Sequence, residues 1–234
     1  MYVDWLYIAL VLPALVFSLW AQSKVNRTFK TFSSVKASSF ITADQATRRI
    51  LDENGLSGVS IGHVQGNLTD HFDPAHSVIN LSSSVSGSSS IAAIGVAAHE
   101  AGHAIQKSKG YAPYRVRAAI VGVTSFGSKL SLPLIFLGLF LTSFSENFIY
   151  LAYAGVALFA LVAVFQLVTL PTEFDASRRA LRSLESMNIL DSSELEGARK
   201  VLTAAALTYV AALAVSLMQL LRLFLRVNSR DRRR

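Results

Sequence analysis

The chain has no cysteine in 234 residues, which removes disulfides, thiolate zinc sites and cysteine nucleophiles together. Histidine, aspartate and glutamate are left as metal ligands. Charge is scarce as well: 16% of residues are charged against 52% hydrophobic, a balance more apolar than a soluble domain has and expected of a membrane protein. Basic residues are missing ahead of the first apolar run, Trp5 to Trp20, where a cleaved secretory leader would have them. The one preceding charge is Asp4, and Lys24, Arg27, Lys30 and Lys36 come after. Residues 5–20 therefore read as a retained anchor with its N-terminus outside and its C-terminal end in the cytoplasm. The net charge of +7 lies largely beside apolar runs, where it sets topology and meets anionic lipid. The lipid bilayer is an expected partner and nucleic acid is not.

An insert of different character follows, residues 38–117. Thr42 followed by Gln45 is a capping-box pattern, Ala46, Ile50 and Leu51 share a helical face, and Gly55 is a C-terminal stop. Val59 to Val64 and Leu68 to Leu81 hold short β-favouring pieces broken by Gly66-Asn67 and Asp73-Pro74, which predict two or three small strands. Their exposed edge is expected at Val78 to Leu81, either as a partner for an extended substrate backbone or as a plain structural ribbon. Ser82 to Ser90 reads as a flexible loop whose last serines cap a helix from about Ile91 to Lys107, ended by Gly110 and Pro113.

Residues 118–170 form a membrane hairpin: Ala118 to Thr142 and Phe148 to Leu170 are apolar, and Ser143 to Asn147 is a polar connection. Two crossings return the chain to the side it left, so residues 171–200 share a side with the insert. That stretch opens at Pro171, with Glu173 and Asp175 ahead of Arg178 and Arg179, the pattern of a helix start. A capping box at Ser193 and Glu196 begins a further helix, which enters a last apolar run at 201–221 and a basic tail at 222–234. A fourth crossing puts that tail outside, whereas a buried helix that does not cross leaves it inside. The expected fold is a mainly α integral membrane protein, a single domain over 1–234. It has three to four transmembrane helices and a small α+β insert with a zinc-binding helix.

The chemistry concentrates in His99-Glu100-Ala101-Gly102-His103, set within the apolar run from Ile91 to Ile105. Two imidazoles four residues apart lie on one helix face and reach one tetrahedral Zn²⁺, while Glu100 sits close enough to deprotonate its water. The alternative is a pair of core histidines beside an unrelated glutamate, a costly arrangement in an apolar helix unless something coordinates it. A peptidase site needs a third protein ligand, and Glu173, Asp175, Asp70, Asp73, His63, His71 and His76 are the candidates. Zinc-activated water with Glu100 as general base would hydrolyse a peptide bond, and His71, Tyr209, Arg178 or Arg179 could support the oxyanion. Two other classes compete with a metallo-endopeptidase: a non-catalytic membrane scaffold stapled by zinc, and a small transporter using the polar residues of the last apolar run.

Four segments together resemble the YugP-type neutral zinc metallopeptidases of bacterial membranes: Thr69-Asp-His-Phe-Asp-Pro74, Ala97-Ala-His-Glu-Ala-Gly-His-Ala-Ile-Gln106, Val168-Thr-Leu-Pro-Thr-Glu-Phe-Asp-Ala-Ser-Arg-Arg-Ala180 and Ala205-Ala-Leu-Thr-Tyr-Val-Ala211. The resemblance implies a multi-pass zinc peptidase of the bacterial plasma membrane. The basic residues, Arg178, Arg179 and Arg182 among them, place its site at the cytoplasmic face, and a peptide or membrane-protein substrate is expected. No oligomeric state is assigned. The more distant HtpX and CAAX prenyl endoprotease families take their third ligand from a Glu-x-x-Ala-Asp helix. Laid onto this chain, Glu173 is the ligand, with Asp175 as the alternative. Ser177 stands where those families have aspartate, so support of a zinc histidine is weaker, falls to Ser177 or moves to Asp175.

Overall fold

Capping chemistry sets where the helices of this chain begin. The computed structural model describes residues 4–232, so Arg233 and Arg234 of the basic tail lie outside the described residues. Thr42 and Gln45 form the reciprocal cap expected of them: Thr42 Oγ1 accepts from Gln45 N–H at 3.3 Å, and Gln45 Oε1 accepts from Thr42 N–H at 2.9 Å. They open α2 (Ala43–Glu53), which follows α1 (Leu12–Ser33), and Gly55 turns the chain away at φ +70°. Ser90 caps α3 (Ile91–Ser108) by accepting from Ala93 N–H. The last cap differs from expectation. It lies at Asp191 and Glu194 instead of Ser193 and Glu196, and it opens the final helix at Ser192. One Asp191 oxygen accepts from the N–H groups of Ser193 and Glu194 at 2.8 and 2.9 Å, and Glu194 Oε2 accepts from Asp191 N–H at 2.9 Å. A carboxylate that serves two amides outcompetes a hydroxyl two residues later.

Three short strands lie between α2 and α3: β1 (Ser60–Val64), β2 (His71–Asp73) and β3 (Val78–Ser82), in the order β1-β3-β2. β3 pairs in parallel with β1 and antiparallel with β2. Val78 to Leu81 is therefore the middle of the sheet and not its edge. Ile79 and Leu81 share one face and are fully buried, so this strand has the apolar side chains to occupy the centre. The free edges belong to β1 and β2. The serine-rich connection is ordered, unlike the flexible loop expected: Asp70 accepts from Ser82 N–H and Oγ–H, and Asp44 accepts from Ser86 Oγ–H and Gly87 N–H.

The remaining helices are long. α4 (Ala112–Leu141) leads through a 3₁₀ turn at Glu146–Phe148 into α5 (Ile149–Ser186), and α6 spans Ser192–Asp231. The sequence predicts a new helix at Pro171, yet α5 runs through it unbroken. Proline's own φ is helical and only one amide bond is lost, a defect that apolar spans tolerate. Among the described residues, four segments are long and apolar enough to cross a membrane: Tyr7–Ser33, Ala112–Leu141, Glu146–Ser186 and Ser192–Asp231. Large apolar side chains such as Leu19, Phe126, Phe136 and Leu167 are exposed on them, as lipid contact requires.

The chain forms two compact units, one from Met1–Trp20, Val116–Leu170 and Thr208–Arg234, the other from Ala21–Arg115 and Pro171–Leu207. In the first, α4 and α5 meet at small residues, and Ser131 Oγ donates to Gly155 O at 2.8 Å. Asp4 joins the opposite termini of this unit by pairing with Arg222 at 2.6 Å and Arg226 at 2.5 Å. In the second, Ile50, Leu51, Ile79, Leu81, Ile94 and Leu184 belong to one buried apolar core.

Candidate metal centre

The spacing of His99 and His103 brings their rings edge to face on α3, with centroids 4.7 Å apart and planes at 84°. Between them, Gly102 faces α5. A methyl group on Gly102 would lie 2.5 Å from the Ala176 carbonyl oxygen and 3.1 Å from its carbon, so only glycine lets the two backbones come this close. Glu173 lies about one turn before Ala176 on α5, and its carboxylate arrives at the imidazoles. Glu173 Oε2 is 3.1 Å from His99 Nε2 and 3.4 Å from His103 Nε2. One ligand atom from each of the three residues lies within 4.8 Å of the others. A tetrahedral zinc centre with bonds of about 2.0–2.1 Å has ligand–ligand edges of about 3.3–3.4 Å. The donor set therefore fits this ion in type, number and spacing.

Burial gives the cluster its electrostatic character. Glu173 is 1% exposed and His103 8% exposed. Desolvation works against the charged imidazole of His103, but its hydrogen bond to Glu173 and the nearby Glu100 and Glu173 charges outweigh that penalty and hold it above the ordinary histidine range. The cluster attracts positive charge.

Each histidine is held from behind. His99 Nδ1 lies 3.1 Å from Ser177 Oγ, and His103 Nδ1 lies 3.0 Å from Gln106 Oε1. With Nδ1–H donating to these partners, Nε2 would be the atom of each ring that turns toward a bound metal. Gln106 is fully buried and donates from Nε2 to Thr172 O at 2.7 Å and to Asp175 Oδ2 at 2.9 Å. Asp175 also accepts from Arg179 Nε at 2.6 Å, and the Arg179 guanidinium stands over the Tyr111 ring at 5.7 Å. Ser177 and Asp175, alternatives in the sequence, thus occur together: one touches His99 and the other reaches His103 through Gln106. Gln106 escaped the sequence reading. Its signal was a polar residue one turn beyond the second histidine in an otherwise apolar helix.

Glu100 is buried beside the cluster, and its Oε2 accepts from Phe72 N–H of β2 at 2.9 Å. The other candidate ligands are engaged elsewhere: Asp70 with Ser82, Asp73 with His76, and His63 with Ser86. His71 is exposed on β2, with Nδ1 2.9 Å from Thr69 O and Nε2 3.1 Å from Asn80 Nδ2. Arg178 is exposed on α5, while Tyr209 lies on α6 within the other compact unit.

Residues 7–228 match the family described as "Putative neutral zinc metallopeptidase". The "Putative membrane protease YugP" of Bacillus subtilis (strain 168) is 47% identical over 227 residues, which cover 97% of this chain and 99% of that protein. No solved structure matches the chain. A family match over nearly the whole length, together with a two-histidine, one-glutamate cluster of zinc dimensions, shows that the chain belongs to this neutral zinc metallopeptidase family and is a zinc metallopeptidase.

Proposed function

We propose that the chain is a membrane-embedded endopeptidase in which His99, His103 and Glu173 hold Zn²⁺ and Glu100 is the general base. The observation that supports this reading is the convergence of two imidazole nitrogens and a buried carboxylate at edges of 3.1 and 3.4 Å, with Glu100 next in sequence. Bound Zn²⁺ supplies Lewis acidity, lowering the pKa of water to near neutrality and polarising the scissile carbonyl. The proton steps fall to Glu100. Its carboxylate accepts a proton from the attacking water as the new C–O bond forms, then returns it to the leaving amine as the C–N bond breaks. Ser177 and Gln106 keep both Nε2 lone pairs inward. An extended substrate segment adds to the free edge of β2, the edge strand whose Phe72 amide faces Glu100.

The orientation belongs to the same proposal. The basic residues after the first span and at Arg178, Arg179 and Arg182 favour a cytoplasmic site. The pairing of Asp4 with Arg222 and Arg226 favours a fourth crossing by α6, with the C-terminal arginines on the outer side beside the N-terminus.

Metal analysis and cleavage assays of the full-length chain test the mechanism. Wild-type protein is expected to contain one zinc per chain, and Glu100→Gln to keep the metal while losing about 10²–10⁴-fold in rate. Membrane proteomes of cells expressing the two forms then reveal the substrates. Undiminished cleavage by Glu100→Gln refutes the mechanism, whereas bound zinc without any cleavage by the wild type leaves a stapled scaffold.

A further inference from the structure

A second site lies in the unit that contains the metal cluster, on the faces of α1 and α6. There the two helices pack through Phe32 and Gly197: a methyl group on Gly197 would meet the Phe32 ring at 2.9 Å. Beside this contact opens a cavity of ≈ 540 Å³. Lys24 and Arg27 line it from α1, Arg199 and Lys200 line it from α6, and Glu196 of α6 lines it as well. Glu196 is shared between Arg199 Nε at 3.5 Å and Lys200 Nζ at 3.9 Å, so one carboxylate answers two cations. Thr28, Thr31 and Thr203 add hydroxyls to the wall. The cavity is thus a cationic cup with hydrogen-bonding capacity, chemistry suited to a phosphate oxyanion.

Its depth narrows the choice of ligand. The first apolar run ends at Trp20, one turn before Lys24, and the last begins at Val201, immediately after Lys200. Both helices therefore change from apolar to cationic at the level of the cup, which is headgroup depth for two spanning helices. We infer that the cup formed by Lys24, Arg27, Arg199 and Lys200 binds the phosphate of an anionic phospholipid headgroup and clamps α1 to α6. This site is independent of the zinc centre.

Binding of phosphatidylglycerol to the full-length protein in zwitterionic detergent, measured by native mass spectrometry and by thermal shift, tests the assignment. Wild-type protein is expected to retain and be stabilised by phosphatidylglycerol and not by phosphatidylcholine. Lys24→Gln/Arg27→Gln is expected to weaken binding roughly 25-fold, about fivefold per cation removed at a membrane surface. Arg199→Gln/Lys200→Gln supplies an independent pair should the first fail to fold. The control Lys30→Gln/Lys36→Gln removes the same charge outside the lining and should leave binding within about twofold of wild type, because surface charge alone is not the determinant. Equal weakening in the control, or wild-type binding in both cup variants, overturns the proposal. A thermal shift reproduced in full by inorganic phosphate assigns the cup to soluble phosphate and overturns the lipid assignment.

Discussion

Adding one methyl group at Gly102 tests the geometry of the metal centre without touching a ligand. In Gly102→Ala the new carbon would lie 2.5 Å from Ala176 O, 3.1 Å from Ala176 C and 3.2 Å from Ala176 Cα. All three are backbone atoms, so no rotamer change relieves the contact. Restoring an ordinary carbon–oxygen distance of about 3.5 Å requires α3 and α5 to separate by about 1 Å. His99 and His103 move with one helix and Glu173 with the other, so edges of 3.1 and 3.4 Å open beyond the span of a zinc tetrahedron. The overpacking itself costs about 1–3 kcal/mol of stability. Zinc affinity, measured against a competing chelator, should fall about 10–100-fold or more, the range lost even when a supporting contact alone is removed. Gly95→Ala is the matched control on the same helix, because its methyl group meets the nearest atom, Ala198 Cβ, at an ordinary 3.4 Å. Wild-type zinc affinity in a folded Gly102→Ala protein would refute the argument, as would equal damage from Gly95→Ala.

Two further predictions concern groups that hold the site and the fold from a distance. Gln106→Ala strands His103 Nδ1–H in a buried setting and removes one partner of Asp175, which keeps Arg179, and should cost about 1–3 kcal/mol in stability and about 10–100-fold in zinc affinity, read by chemical denaturation and by the same chelator competition. Unchanged zinc affinity would show that Gln106 does not position His103. Asp191 has its pKa lowered by the Glu194 amide and the Ser193 hydroxyl and amide. Its folded value lies below its unfolded one, so its contribution is present above the unfolded pKa of about 3.9 and is lost as pH falls through the folded value. The Tm of Asp191→Asn should therefore fall below wild type at neutral pH and converge with it in acid. A gap independent of pH would assign the cap to geometry instead of charge.

Features set by neighbours a few residues away were legible in the sequence. The Thr42 cap, the Gly55 stop, the histidine spacing of α3 and the three β segments all follow from local pattern. Features set by distant partners were not. β3 is central because β1 and β2 both pair with it, and a strand's rank in a sheet has no local signature. Pro171 reads as a start because proline usually begins helices, but the turns on both sides of it held α5 together. Gln106 resembled any helix glutamine until Thr172 and Asp175 arrived from another part of the chain. Even Gly102, visible inside the motif, shows its purpose only against the backbone of Ala176.

The unbroken course of α5 through Pro171 has a consequence for how such a protein can change. One helical rod contains both an apolar span and Glu173, so the angular phase of the ligand is tied to the length of the span. Inserting a single residue between them turns one relative to the other by about 100° and shifts it by about 1.5 Å. Either the lipid-facing stripe or the carboxylate must then face the wrong way. Insertions of three or four residues, close to a full turn, nearly restore the phase. A change in the length of this span that keeps the phase thus comes in steps of about 5 Å, like a screw that must complete its turn before its slot lines up again.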